Sequence, residues 1–154
     1  MNDHTLAKLN SLGHSLPAVP APVAAYVNCV RSGNLLFLSG GLPIDDRKKV
    51  IGKVPDGVSI EEAREAAAMI VLNRLAVIRA ETGSLDKVRR IVALNGFVNC
   101  GPDFHDHPQV INGASELLVA VFGDRGRHSR TALGAPSLPL NVAVEINMVV
   151  EIDD

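Results

Sequence analysis

The stretch SRTALGAPSLPLNVAVEINMVVEI (residues 129–152) decides how the chain is read. Gly134, Pro136 and Pro139 split it into two apolar, strand-like runs, and a strand points successive side chains to opposite faces. In the second run Val144, Ile146 and Met148 share one face, while Ala143, Glu145, Asn147 and Val149 share the other. The first is a core face; the second suits either a solvent side or the wall of a site. Arg130 opens the stretch, and its permanently charged guanidinium forks onto carboxylates. Glu145, amid Val142, Val144, Ile146 and Val149, is costly to bury unless something pairs with it or uses it.

Upstream, Ser59 with Glu62 forms a capping box, Ala63, Ala67, Ile70, Val71 and Ile78 fall on one side, and Gly83 follows, which predicts a long helix. RIVALNGFVNC (90–100) reads as a strand. Asp106 and Pro108 open a second helix whose apolar face is Val110, Ile111, Ala114, Leu117, Leu118 and Val121, with Gly123 as its stop. AYVNCV and NLLFLSG flank Arg31–Asn34 as a hairpin, and DDRKKVIGKVPDG is a charged surface loop or hairpin. Residues 1–22 are expected to be a helical arm, capped by Asp3 and stopped at Gly13, with a Pro-rich connector; residues 23–154 form one domain. The sum is an α+β sandwich, a sheet with two long helices on one face.

The 154 residues, 16.3 kDa, suffice for a core without staples. Hydrophobic residues are 47% and mean hydropathy is +0.19, so part of the apolar surface is expected to be covered by other copies of the chain. A net charge of −2, a pI near 6.2 and 3% aromatics without Trp argue against nucleic acid and against a polybasic membrane patch. Two cysteines, Cys29 and Cys100, make no disulfide framework and read as small core residues. With no signal-like or spanning segment, the expectation is a cytoplasmic protein.

Other chemistries are weakly supported. His105 and His107 with Asp103 and Asp106 suggest a polar helix entrance rather than a metal site, and no cofactor motif is present. Ser39 lacks a nucleophile elbow, but with Gly40 it can offer a hydroxyl or backbone amides to a small polar ligand. In DRGRHSR (124–130), Arg130 is the member placed to point inward.

Taken in order, PVAAYVNCVRSGNLLFLSGGLP, VALNGFVNCGPDF, VINGASELL and SRTALGAPSLPLNVAVEI resemble the Rid family, the reactive-intermediate imine deaminases also called the YjgF or L-PSP endoribonuclease family. The most specific element is Arg130 and Glu145, fifteen positions apart around Leu-Pro. The resemblance implies a chorismate-mutase-like fold with a mixed β-sheet, assembled as a homotrimer with intersubunit clefts. It also implies hydrolytic deamination of small 2-imino or enamine acids without metal or cofactor. Arg130 would hold the substrate carboxylate and Glu145 would handle the proton, with Tyr26, Ser39, Gly40 and Asn112 in support. A non-catalytic 2-keto acid binder and a ribonuclease on single-stranded RNA are the alternatives. Ala132 stands where many deaminase members have Cys and Gly41 where they have Gln, and the arm is longer than in compact members, which indicates a separate branch.

Overall fold

In the computed structural model, which describes residues 2–154, residues 129–152 supply an edge strand and the central strand of one sheet. Met1, the first residue of the expected arm, lies outside the described residues. In chain order the elements are α1 (His4–Ser11), β1 (Cys29–Ser32), β2 (Leu35–Gly41), α2 (Ile60–Thr82), β3 (Val88–Asn99), α3 (His107–Phe122), β4 (Ser129–Ala135) and β5 (Val144–Ile152). The sheet order is β1-β2-β5-β3-β4. It is mixed: β3 and β4 run parallel across the α3 crossover, and the other neighbours are antiparallel.

Every second residue of β5, from Val144 to Ile152, is buried, and Leu36, Leu38, Ile91, Leu94 and Val98 join them on the same face. Against this face lie α2, through Ala63, Ala67, Ile70, Val71 and Ile78, and α3, through Val110, Ile111, Ala114 and Leu118. Gly96 lets α3 approach β3, since a Cβ there would meet Ile111 Cδ1 at 2.5 Å. The Ser59–Glu62 capping box forms, and Gly83 ends α2 at φ +84°. The two long helices therefore cover one face and leave the other open.

The hairpin starts later than the sequence suggests. Residues 25–28 are not strand: Tyr26 N donates to the Ala24 carbonyl at 2.9 Å in a local turn, Ser39 Oγ occupies the Val27 carbonyl at 2.6 Å, and the Asn28 side chain ties the segment to the Pro20 carbonyl at 2.6 Å. Ser32 pairs with Leu35, so the turn is the two residues Gly33 and Asn34, with Gly33 at φ +60°.

The arm is fastened to the domain by two carboxylates. Asp3 caps α1, accepting from Leu6 N at 2.9 Å, and its other oxygen accepts from Leu85 N at 2.9 Å. Asp86 accepts from His4 N and Thr5 N at 2.8 Å each and from the Thr5 hydroxyl at 2.7 Å. That hydroxyl first, then the His4 N–H, holds the Asp86 carboxyl far below the usual carboxylate range.

Candidate active site

Arg130 lies on β4 opposite Leu94, a residue of the helix-covered face, and its side chain accordingly reaches α3. Nη1 donates to Asn112 Oδ1 at 2.6 Å and to Ser115 Oγ at 3.3 Å. Ser115 in turn meets His128 Nε2 at 2.9 Å, and His128 Nδ1 lies 2.6 Å from the Gly126 carbonyl. That carbonyl can only accept, so Nδ1 carries the proton and Nε2 accepts from the Ser115 hydroxyl. The Ser115 oxygen is thereby left to accept from Arg130. This relay fixes the guanidinium by one nitrogen, while Nε and Nη2 have no protein partner and no carboxylate pairs with it among the described residues. A half-buried fork with two free donor groups has the geometry to receive a carboxylate.

Glu145 lies on β5 opposite Phe97, on the open face. It lines a crevice of about 480 Å³ with Val23, Ala24, Tyr26, Ser39, Gly40, Leu42 and Pro139. Burial pushes its carboxyl above the ordinary value, and it accepts no side-chain hydrogen bond among the described residues. Gly40 is the floor beneath it: a Cβ there would overlap Glu145 Oε1. Tyr26 forms one wall and its hydroxyl accepts from Val23 N at 3.4 Å. The Ser39 hydroxyl is committed to the Val27 carbonyl and so shapes the rim, as a turn-forming serine would.

The sequence-predicted residues thus fall into two groups. Arg130 and Asn112 stand together on the helix side of the edge strand; Tyr26, Ser39, Gly40 and Glu145 stand together on the open face. A single protomer does not bring Arg130 and Glu145 into one crevice, because their register partners Leu94 and Phe97 are three positions apart and point oppositely.

Three features escaped the sequence reading. Ser115 and His128 complete the Arg130 relay, although a helix-face Ser and a loop His carry no mark of it. Asn99, fully buried, holds the loop before β5: its Nδ2 donates to Asn141 Oδ1 and the Val142 carbonyl at 3.0 Å each, and its Oδ1 accepts from Lys53 Nζ at 2.9 Å. Within that loop Leu140 and Asn141 adopt φ of 56° and 58°, a left-handed conformation uncommon outside glycine. Cys100 is buried in the core with its thiol raised by desolvation, 3.5 Å from His107 Nε2. No group of three or more metal-ligating side chains occurs among the described residues. No helix of the described residues is long and apolar enough to cross a membrane.

A family model described as "YjgF/chorismate mutase-like, putative endoribonuclease" matches residues 6–152. Protein TCP17 of Trypanosoma cruzi is 41% identical over 150 residues, which is 96% of this chain and 94% of that protein. A 2-iminobutanoate/2-iminopropanoate deaminase of Dermatophagoides farinae is 29% identical, over 90% of this chain and 94% of that protein. The crystal structure of Atu1372 from Agrobacterium tumefaciens, a protein of unknown function, shares the fold with a TM-score of 0.89 at 43% identity, covering 97% of this chain and 92% of that one.

Proposed function

The chain belongs to the YjgF/chorismate mutase-like family, and on that premise we propose that it is a homotrimeric deaminase hydrolysing small 2-imino or enamine acids, such as 2-aminoacrylate, to 2-keto acids and ammonia. The observation that carries this reading is the pair of complementary half-sites, a carboxylate-ready Arg130 on the edge strand and a proton-handling Glu145 on the open face. The similarity to a 2-imino acid deaminase supports the choice of substrate class.

Assembly joins the halves. The open face carries apolar side chains that a lone protomer would leave in water: Val30, Phe37 and Leu133 are 54%, 46% and 51% exposed, with Val149 paired to Phe37 in one row and Phe97 paired to Leu133 in another. A second copy laying its β4 edge over this face covers them and delivers its Arg130 to the Glu145 crevice. Three such contacts close a ring.

The chemistry then needs little. An imine is already electrophilic, so the guanidinium grips the substrate carboxylate and presents C2 to water above Glu145. The carboxylate takes a proton from the attacking water as the C–O bond forms, then returns it to nitrogen. A second transfer through Glu145 carries the carbinolamine hydroxyl proton to nitrogen as the C–N bond breaks and the C=O bond forms, so ammonia departs and the 2-keto acid remains. A carboxyl made more basic by burial suits both transfers.

The test is ammonia or keto-acid release from oxidase-generated imines. Arg130→Ala is expected to lower turnover by at least about a hundredfold with the trimer mass unchanged. Full activity in that variant would remove the anchor from the mechanism. Wild-type binding of 2-oxobutyrate without any ammonia release would instead identify a carboxylate-binding trimer.

A further inference from the structure

A second cation is buried where the Arg130 chemistry makes no use of it. Arg74, in the middle of α2, is only 3% exposed. Its Nη1 donates to the Ser39 carbonyl at 3.0 Å, but its Nε has no hydrogen-bond partner among the described residues. It joins no ion pair among the described residues. Taking a guanidinium out of water without a counter-charge is costly, and buried charges are normally paired. Desolvation accordingly pulls its pKa down, opposed by Tyr26 and Cys29.

The side chain lines a cavity of about 350 Å³ between α2, the end of β2 and the connector that follows α1. The walls are mostly apolar, with Pro17, Val19, Pro20, Val23 and Tyr26 from the connector side and Leu42 and Ile44 from the sheet side. Of the two acidic residues at its margin, Asp45 spends Oδ1 on Arg47 N and Lys48 N, and Asp46 is exposed. Neither neutralises Arg74. The neighbouring Asn73 is likewise turned to this region, donating to the Leu42 and Ile44 carbonyls at 3.1 and 3.3 Å, so the β2 exit is held open by α2 side chains. Gly41 makes the arrangement possible: a Cβ there would stand 2.9 Å from Arg74 Nε and 2.7 Å from Ile70 Cγ2.

We propose that this cavity is a binding site for a small monocarboxylate with an apolar body, whose carboxylate neutralises Arg74 and whose hydrocarbon part lies against the connector. The space is in the range of small-molecule pockets, and an apolar wall with one fixed charge is the expected receptor for an amphipathic acid. The cavity borders the Glu145 crevice, with Val23, Tyr26, Gly40 and Leu42 common to both, but Arg74 lines the cavity and not the crevice, so this anchor is distinct from Arg130 on the edge strand.

Hexanoate titrated by calorimetry into an Arg130→Ala protein provides the test, with hexanamide as the uncharged control. The site predicts saturable hexanoate binding, one per protomer, no hexanamide binding, and a rise in Tm with hexanoate. Arg74→Met keeps the side-chain length and removes the charge; it is expected to weaken hexanoate at least about tenfold while raising the Tm of the ligand-free protein. Arg74→Lys, which keeps the charge without the fork, is expected to fall between the two. Hexanoate binding that is absent in the Arg130→Ala protein, equal for hexanamide, or indifferent to Arg74→Met and Arg74→Lys overturns the assignment.

Discussion

Glu145 and Gly40 form the most sensitive pair of residues. Gly40→Ala would drive a methyl into the carboxylate, and displacement by about an ångström at a reacting group costs on the order of a hundredfold in rate. The expected outcome is a folded protein with kcat/KM down by about that factor, measured on 2-iminobutanoate. Glu145→Gln probes the same group through stability. Burial raises the carboxyl in the folded chain above its unfolded value, so the ionised form opposes folding above the raised pKa, and the penalty fades as pH falls through it to the ordinary carboxylate range. Glu145→Gln should therefore gain on the order of 1–3 °C in Tm near pH 8 and nothing near pH 4. A gain that persists at pH 4 would assign the effect to packing. Arg130 and Glu145 stand out in sequence because a lone cation beside a strand and an acid inside an apolar run both violate the local pattern. Ser115, His128 and Arg74 do not: each sits at an ordinary helix or loop position, and only tertiary placement gives it a role.

At the scale of elements, both long helices were legible because their signals are local: a capping box, apolar spacing and a terminal glycine. The start of β1 was not, since the Tyr26 N–H turns back on Ala24 and the Ser39 hydroxyl claims the Val27 carbonyl that a strand reading assigns to a ladder. Ser59→Ala removes one half of the α2 capping box and is expected to cost about 1 kcal/mol, visible as a Tm lower by about 3 °C. The arm depends on Asp86, whose depressed pKa means that its contribution is present above the ordinary carboxylate range and lost as pH falls through the lower, folded value. Asp86→Ala should release α1 locally, read as faster amide hydrogen exchange in residues 4–12 with α2 protection unchanged. Equal exchange in the two proteins would show that the arm is held by packing, through Leu9, rather than by this carboxylate.

For the whole molecule, the surplus of apolar residues in the composition becomes a specific place, the open sheet face around Phe37 and Leu133, while the symmetry of the proposed trimer has no local signature in sequence. Leu133→Glu is expected to convert the assembly to monomers in light scattering and to abolish deamination together with it; active monomers would mean that one protomer holds a whole site. In the proposed trimer each active site takes Arg130 from one subunit and Glu145 from its neighbour. Coexpressing Arg130→Ala and Glu145→Gln chains in equal amounts tests it most directly, because each variant alone has three damaged clefts. Random mixed trimers of this geometry regain about a quarter of wild-type turnover, through clefts that draw both intact residues from different chains. Mixed trimers no more active than the two parents would place the two residues in the same subunit's site and contradict the account.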